Sequence, residues 1–276
     1  MAVVPILTLN NGVELPQLGF GVFQVRPEEV VEPVASALAA GYRLIDTAAA
    51  YGNEEGVGRA IASSGLSRDE VFVTTKVWNL DQGYDETLAA FDRSLSALRM
   101  EVIDLYLIHW PVPQRDRYVA TWRALERIYA EGRARAIGVS NFRVVDLERL
   151  ADETDVVPAV NQIELHPGFD QAELRAYHAG RGIVTEAWSP LRQGFGLLDD
   201  HVVLTIASAH RTSAAQAVLR WHIQLGNMVI PKSVTPERIR ANFDIFDFEL
   251  SPEEMAAMSG LPGGRIGPHP DIFETP

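Results

Sequence analysis

Eight short apolar runs, at residues 18–20, 44–46, 71–76, 103–109, 134–140, 159–164, 183–188 and 228–230, alternate with segments of helical character along this chain. The runs are rich in β-branched and aliphatic residues and bounded by Gly, Pro or polar residues, which marks buried strands. Between them, residues 28–40, 54–64, 85–98, 119–131 and 213–225 carry Ala, Leu and charged residues at helical spacing. Repeated strand–helix units bring successive strands in parallel, and eight of them close on themselves more readily than they lie open. The expected fold is α/β, a (β/α)8 or TIM barrel. No linker of domain-boundary length interrupts the alternation, so residues 1–276 read as a single domain.

Additions are expected at both ends. Residues 6–9 and 13–15 flank Asn11-Gly12, the strongest short-range hairpin signal, and a hairpin there could plug the barrel floor. After the eighth strand, residues 236–243 and 251–258 begin with Thr-Pro-Glu and Ser-Pro-Glu-Glu, the chemistry of helix starts, and an irregular Gly/Pro-rich tail follows from Leu261. The competing fold, a doubly wound open sheet, would carry G-x-G-x-x-G after its first strand. The nearest glycine cluster, Gly52 to Gly58, has other spacing and follows the second strand, so it receives no phosphate-binding role.

In such a barrel the chemistry gathers at the C-terminal ends of the strands. Asp46, Lys76 and His109 each end an apolar run, and Tyr51 lies five residues past Asp46 in the same loop. Singly, each has a structural reading as a helix cap, a solvated strand end or a packed ring. Together they converge on one mouth. Carbonyl reduction gives the four a coherent task, because hydride attack leaves negative charge on oxygen and an acid must protonate it. Tyr51 would be that acid, although a free tyrosine has a pKa of about 10. Lys76 would lower its proton affinity, Asp46 would hold Lys76, and His109 would orient the substrate oxygen while standing as runner-up for proton donor.

The run Gly41-Tyr42-Arg43-Leu44-Ile45-Asp46-Thr47-Ala48 leads to Tyr51-Gly52-Asn53-Glu54. Lys76 stands in Thr74-Thr75-Lys76-Val77-Trp78, and His109 in Asp104-Leu105-Tyr106-Leu107-Ile108-His109-Trp110-Pro111. In these motifs, and from hairpin to tail, the chain closely resembles the aldo-keto reductases. The resemblance implies a catalytic tetrad of Asp46, Tyr51, Lys76 and His109, with NADPH (NADP+) as cofactor. It also implies that Ser140, Asn141 and Gln162 bond the nicotinamide carboxamide, and that Trp188 stacks on its ring, with Ser189-Pro190-Leu191 forming the pyrophosphate loop. The segment from Ile230 to Arg240 resembles the family's site for the adenosine 2'-phosphate, which places Lys232, Ser233, Val234, Arg238 and Asn242 there. Read on its own, that segment sets Lys232, Arg238 and Arg240 against only Glu237 at a helix start, which suits a phosphate as well as it suits a solvated basic face. Phe23, Trp78 and Trp110 stand in or beside loops after the first, third and fourth strands and would wall an apolar pocket. Phe23, the short loop from Trp110 to Tyr118 and the tail from Gly264 to Pro270 make the chain look closest to bacterial members resembling 2,5-diketo-D-gluconate reductases.

Composition narrows the partners. With 24 Lys plus Arg against 37 Asp plus Glu the net charge is -13, which disfavours nucleic acid and anionic membranes. There is no cysteine, hence no disulfide framework, zinc–thiolate site or thiol nucleophile, and no metal is expected. No signal peptide or spanning stretch is apparent, so a cytoplasmic location is the expectation, and the resemblance implies a monomer acting on a small carbonyl compound. Two other functions fit parts of the pattern. Asp46 and Glu164 could pair as the acids of a glycosidase, or the chain could hold NADPH as a redox-sensing module.

Overall fold

The computed structural model describes residues 4–273. A hairpin comes first, pairing β1 (Ile6–Thr8) with β2 (Glu14–Pro16) so that Leu7 faces Leu15. The turn holds Gly12 at φ 84°, in the left-handed region where a side chain is disfavoured. Asn10 and Asn11 donate side-chain bonds to Pro158 O (3.1 Å) and Arg135 O (2.9 Å), fastening the hairpin beneath later strands. Its Leu9 and Leu15 are buried with Leu44, Phe72, Leu105, Val160 and Met228, which makes it the floor plug that the sequence suggested.

The barrel then runs β3 (Phe20–Gly21), α1 (Val31–Ala40), β4 (Leu44–Asp46), α2 (Glu54–Ala62), β5 (Phe72–Val77), α3 (Tyr84–Leu98), β6 (Ile103–Ile108) and α4 (Tyr118–Ala130). It continues through β7 (Ala134–Ser140), α5 (Val144–Glu153), β8 (Val160–Glu164), α6 (Ala172–Arg181), β9 (Val184–Trp188), α7 (His201–Ala209), α8 (Ala214–Gln224), β10 (Met228–Val229) and α9 (Pro236–Phe243). The last helix is α10 (Pro252–Ser259). Strands β3 to β10 form one parallel sheet in sequence order. Its two edges meet: Gly19 N donates to Val229 O (2.9 Å), Val229 N to Gln17 O (2.9 Å) and Gly21 N to Pro231 O (3.1 Å). The buried side chain of Gln17 reinforces this seam with bonds to Ile223 O (2.9 Å) and Asn227 O (3.0 Å).

Period-two alternation sorts each strand between two environments. Along β5, Phe72 joins the interior cluster while Val73 and Val77 pack with the surrounding helices, so Lys76 points inward and Thr75 outward, toward Glu54 of α2 (2.6 Å). In the Gly52 to Gly58 cluster, Gly58 allows close helix packing: a Cβ there would lie 2.3 Å from Leu98 O at the end of α3. Ser213 and Ser251 cap α8 and α10 with reciprocal bonds from Gln216 and Glu254. One element was not anticipated. Between β9 and α8 the chain inserts α7, started by Asp200, whose carboxylate accepts from Val202 N (2.8 Å). Among the described residues no helix is long and apolar enough to cross a membrane.

Candidate active site

Asp46 closes β4 and faces into the barrel beside β5. Lys76, fully buried, donates to Asp46 Oδ1 (2.7 Å), Asp46 Oδ2 (2.9 Å) and Thr47 O (2.8 Å), so all three ammonium protons have acceptors. Gln162 Nε2 donates a third bond to the same carboxylate (2.8 Å). Burial opposes the charge on Lys76, but the charge and bonds of Asp46 and the Tyr51 phenol outweigh it and hold the lysine pKa above its ordinary value. Burial also lifts the Asp46 carboxyl above the usual range, against the pull of Lys76 and Gln162.

Tyr51 ends a single 3-10 turn, Ala49–Tyr51, immediately after β4. Lys76 Nζ lies 5.3 Å from the centre of its ring. The phenol does not become a stronger acid than free tyrosine. Burial pushes its pKa up to about 12, and Lys76 acts to keep it from climbing further. His109 packs edge-on against Tyr51 (5.6 Å between centroids) and Trp78 (5.1 Å). Burial and the nearby Lys76 charge force its pKa well below the ordinary histidine value, so near neutrality it is an uncharged imidazole. Among the described residues its Nδ1 has no hydrogen-bond partner. A neutral ring can orient an oxygen but is a poor proton source, which weakens its standing as alternative acid.

The remaining expected residues fall into two groups. One continues the same network: Asn141, at φ 65°, donates to His109 O (3.0 Å) and Ser140 Oγ (3.0 Å) and accepts from Trp188 Nε1 (2.8 Å), while Ser140 Oγ donates to Gln162 O (2.9 Å). Phe23 meets Tyr51 at 5.1 Å and Trp110 meets Trp188 at 6.4 Å, so the three expected wall residues, Phe23, Trp78 and Trp110, all border this network. The other group lies around it. Ser189 adopts φ 49° and accepts from Gln193 (3.3 Å), while Leu191 is half-buried. Between β10 and α9, Lys232, Val234 and Arg238 are exposed, Ser233 Oγ accepts from Thr235 N (3.1 Å) and Asn242 is buried. Among the described residues Lys232, Arg238 and Arg240 have no carboxylate within ion-pair distance, although the chain is strongly acidic. Three unpaired cations beside a helix start fit a phosphate.

Two residues escaped the sequence reading. Phe273 in the tail lies 4.3 Å from the ring of Trp110 and 6.3 Å from that of Trp78, closing the aromatic wall. Glu186 of β9 is completely buried, and its strand register places it beside Gln162. Glu164 serves elsewhere. Its carboxylate accepts from Ile266 N (2.6 Å), Gly267 N (2.9 Å) and His166 Nε2 (3.0 Å), anchoring the tail. Asp46 is likewise committed to Lys76 and Gln162, which leaves the hydrolytic pairing of Asp46 with Glu164 without support.

The model of the Aldo/keto reductase family matches residues 17–261. The chain belongs to that family. An aldo-keto reductase of Mycobacterium sp. (strain KMS) is 57% identical over 270 residues, 98% of each chain. A glyoxal reductase of Bacillus subtilis (strain 168) is 54% identical over 265 residues, 95% of each. Among solved structures, a mutant of Gox0644 in complex with NADPH superposes with a TM-score of 0.95 at 45% identity, covering 99% of this chain and all of that one.

Proposed function

We propose that this aldo-keto reductase uses NADPH to reduce aldehyde or ketone carbonyls to alcohols in a single barrel domain, with Tyr51 as the acid. The observation that carries this reading is Lys76, buried and bonded to Asp46 and Thr47 with its ammonium 5.3 Å from the centre of the Tyr51 ring. NADPH, when bound, supplies the hydride to the carbonyl carbon. The Tyr51 hydroxyl delivers the proton to the oxygen, and Lys76 balances the phenolate that remains. His109, neutral, donates a hydrogen bond that fixes the carbonyl oxygen. Asp46 aims Lys76 and acts only through it. Trp188 would lie against the nicotinamide, with Ser140, Asn141 and Gln162 around its carboxamide. Ser189 and Leu191 would line the pyrophosphate. Lys232, Ser233, Val234, Arg238 and Asn242 would take the adenosine end.

The aromatic wall of Phe23, Trp78, Trp110 and Phe273 suits small carbonyls with apolar or weakly polar flanks. The glyoxal reductase relative makes short 2-oxoaldehydes the first substrates to try, ahead of keto-sugar acids. The enzyme would act as a cytoplasmic monomer on freely diffusing compounds. Consumption of NADPH absorbance across aldehydes, 2-oxoaldehydes, keto acids and sugar ketones tests the reading, and no turnover on any of them would defeat it. Trp110→Ala should reorder the rates across that panel more than it changes NADPH affinity. An unchanged ranking would make Trp110 a packing residue.

Cofactor choice should follow the unpaired cations. Arg238→Ala should weaken NADPH binding by about tenfold and leave NADH binding nearly unchanged, because an exposed charge-assisted contact is partly screened by salt. Dissociation constants for both cofactors at one ionic strength decide this. Equal affinity for the two in the unsubstituted protein would remove the phosphate site from this segment.

A further inference from the structure

Among the described residues the barrel interior beneath the mouth holds Lys76 with the carboxyl groups of Asp46 and Glu186. Lys76 spends its three protons on Asp46 and Thr47, and Gln162 adds a further donor to Asp46. That is the hydrogen-bond pattern of an ionised carboxylate. Glu186 stands in the opposite condition. It lies two residues before Trp188 on the same face of β9, in register with Gln162 on one side and Met228 on the other. It is fully buried, and among the described residues neither of its carboxyl oxygens accepts a well-formed hydrogen bond, the neighbouring Gln162 amide being donated to Asp46 (2.8 Å). A lone carboxylate buried without donors is costly, whereas the protonated acid is not charged and can remain. The ionisable groups that act on it from neighbouring elements are Asp46, Lys76 and Tyr51.

We propose that Glu186 is a positioning residue of the active site, a neutral buried acid that leaves Lys76 facing a single carboxylate and so leaves part of the ammonium's field for Tyr51. Ionising Glu186 places a second negative charge near Lys76 and Tyr51. Lys76 is then held more tightly as a cation, and Tyr51 becomes a weaker acid. The charge balance has a direction in pH: burial and the Asp46 charge push the Glu186 pKa up to about 8, against Lys76 and Gln162. The site therefore carries its own alkaline limit. The tuning role rests on Tyr51 acting as the acid, whereas the protonation state of Glu186 does not.

Two measurements on Glu186→Gln, with Glu186→Met as a second variant should the amide fold poorly, separate these claims. The first is thermal unfolding against pH. A carboxyl whose pKa is raised by folding costs nothing below its unfolded value and destabilises the native state increasingly as pH rises toward the folded value. The melting temperature of the variant relative to the unsubstituted protein should therefore climb between about pH 5 and pH 8 and then level off. A difference independent of pH would overturn the neutral acid. The second is the pH profile of carbonyl reduction. The unsubstituted enzyme should lose about two- to fivefold in kcat between pH 7 and pH 9, and the variant should hold its rate over that span. Parallel profiles would overturn the tuning role. A chain that reduces no carbonyl would sink the reductase reading and the tuning with it, while the unfolding curves still decide the neutral acid.

Discussion

Replacing Tyr51 by Phe should lower kcat for carbonyl reduction by about 10²- to 10⁴-fold, the range expected for loss of a positioned general acid. The substitution deletes one hydroxyl and keeps the ring that packs on Phe23 and His109, so the fold and the aromatic wall should survive. NADPH binding should change little, because the expected cofactor contacts lie on other strand ends. His109 cannot take over the task, since its pKa lies well below neutrality and it carries no imidazolium proton to give. Single-turnover rates and a fluorescence titration with NADPH would measure the two quantities separately. Turnover near that of the unsubstituted enzyme would remove Tyr51 as the acid.

Lys76→Met should have two large effects that come apart on a second substitution. The first is on stability. Asp46 is 2% exposed and would keep only the Gln162 amide as a partner, and a buried carboxylate stripped of its cation costs about 3–5 kcal/mol. The second is on rate. Without the ammonium, burial and the Asp46 charge act unopposed on Tyr51, whose pKa would rise further, and turnover should fall by about 10²- to 10³-fold, as when one preorganised charge is removed. Adding Asp46→Asn to Lys76→Met removes the orphaned charge. The double variant should regain much of the melting temperature and none of the rate. Recovery of both would reduce Lys76 to a structural cation, and recovery of neither would mean that the pair is needed to build the barrel mouth.

The eight strands and the convergence of Asp46, Tyr51, Lys76 and His109 were legible because each depends on local pattern. An apolar run ends, and the polar residue that ends it must lie at one pole of a parallel barrel. The hairpin was equally plain in Asn11-Gly12. Contacts made across long stretches of chain were not. Phe273 reaches Trp110, and the Ile266 and Gly267 amides reach Glu164, from more than a hundred residues away, and no periodicity encodes such meetings. Glu186 lies between these cases. Once Trp188 is taken to face the site, the two-residue period of β9 turns Glu186 inward as well, so its burial was readable by parity. What parity could not supply was the state of its neighbours, because that Lys76 is already claimed by Asp46 is a fact of three dimensions. The Tyr51 acidity is legible only in part for a similar reason: the sequence names the cation that lowers its pKa but not the depth of burial that outweighs it.

The seam between β3 and β10 has a consequence for how the chain assembles. Everywhere else in the sheet a strand pairs with its neighbour in sequence, so the loops to be closed are short. At the seam Gln17 must find Ile223 and Asn227, 206 and 210 residues further along. Loop closure grows costly with separation, and contacts of high sequence distance form late. Both strands there are only two residues long, so few backbone bonds hold the joint once made. Phe23 follows one side of it and the Lys232 to Arg238 segment follows the other, so a dinucleotide lying along the mouth would bridge the joint where the two ends of the sheet meet. The cofactor would then act as a clasp, and its loss would be felt first as breathing of the wall between the beginning of the barrel and its end.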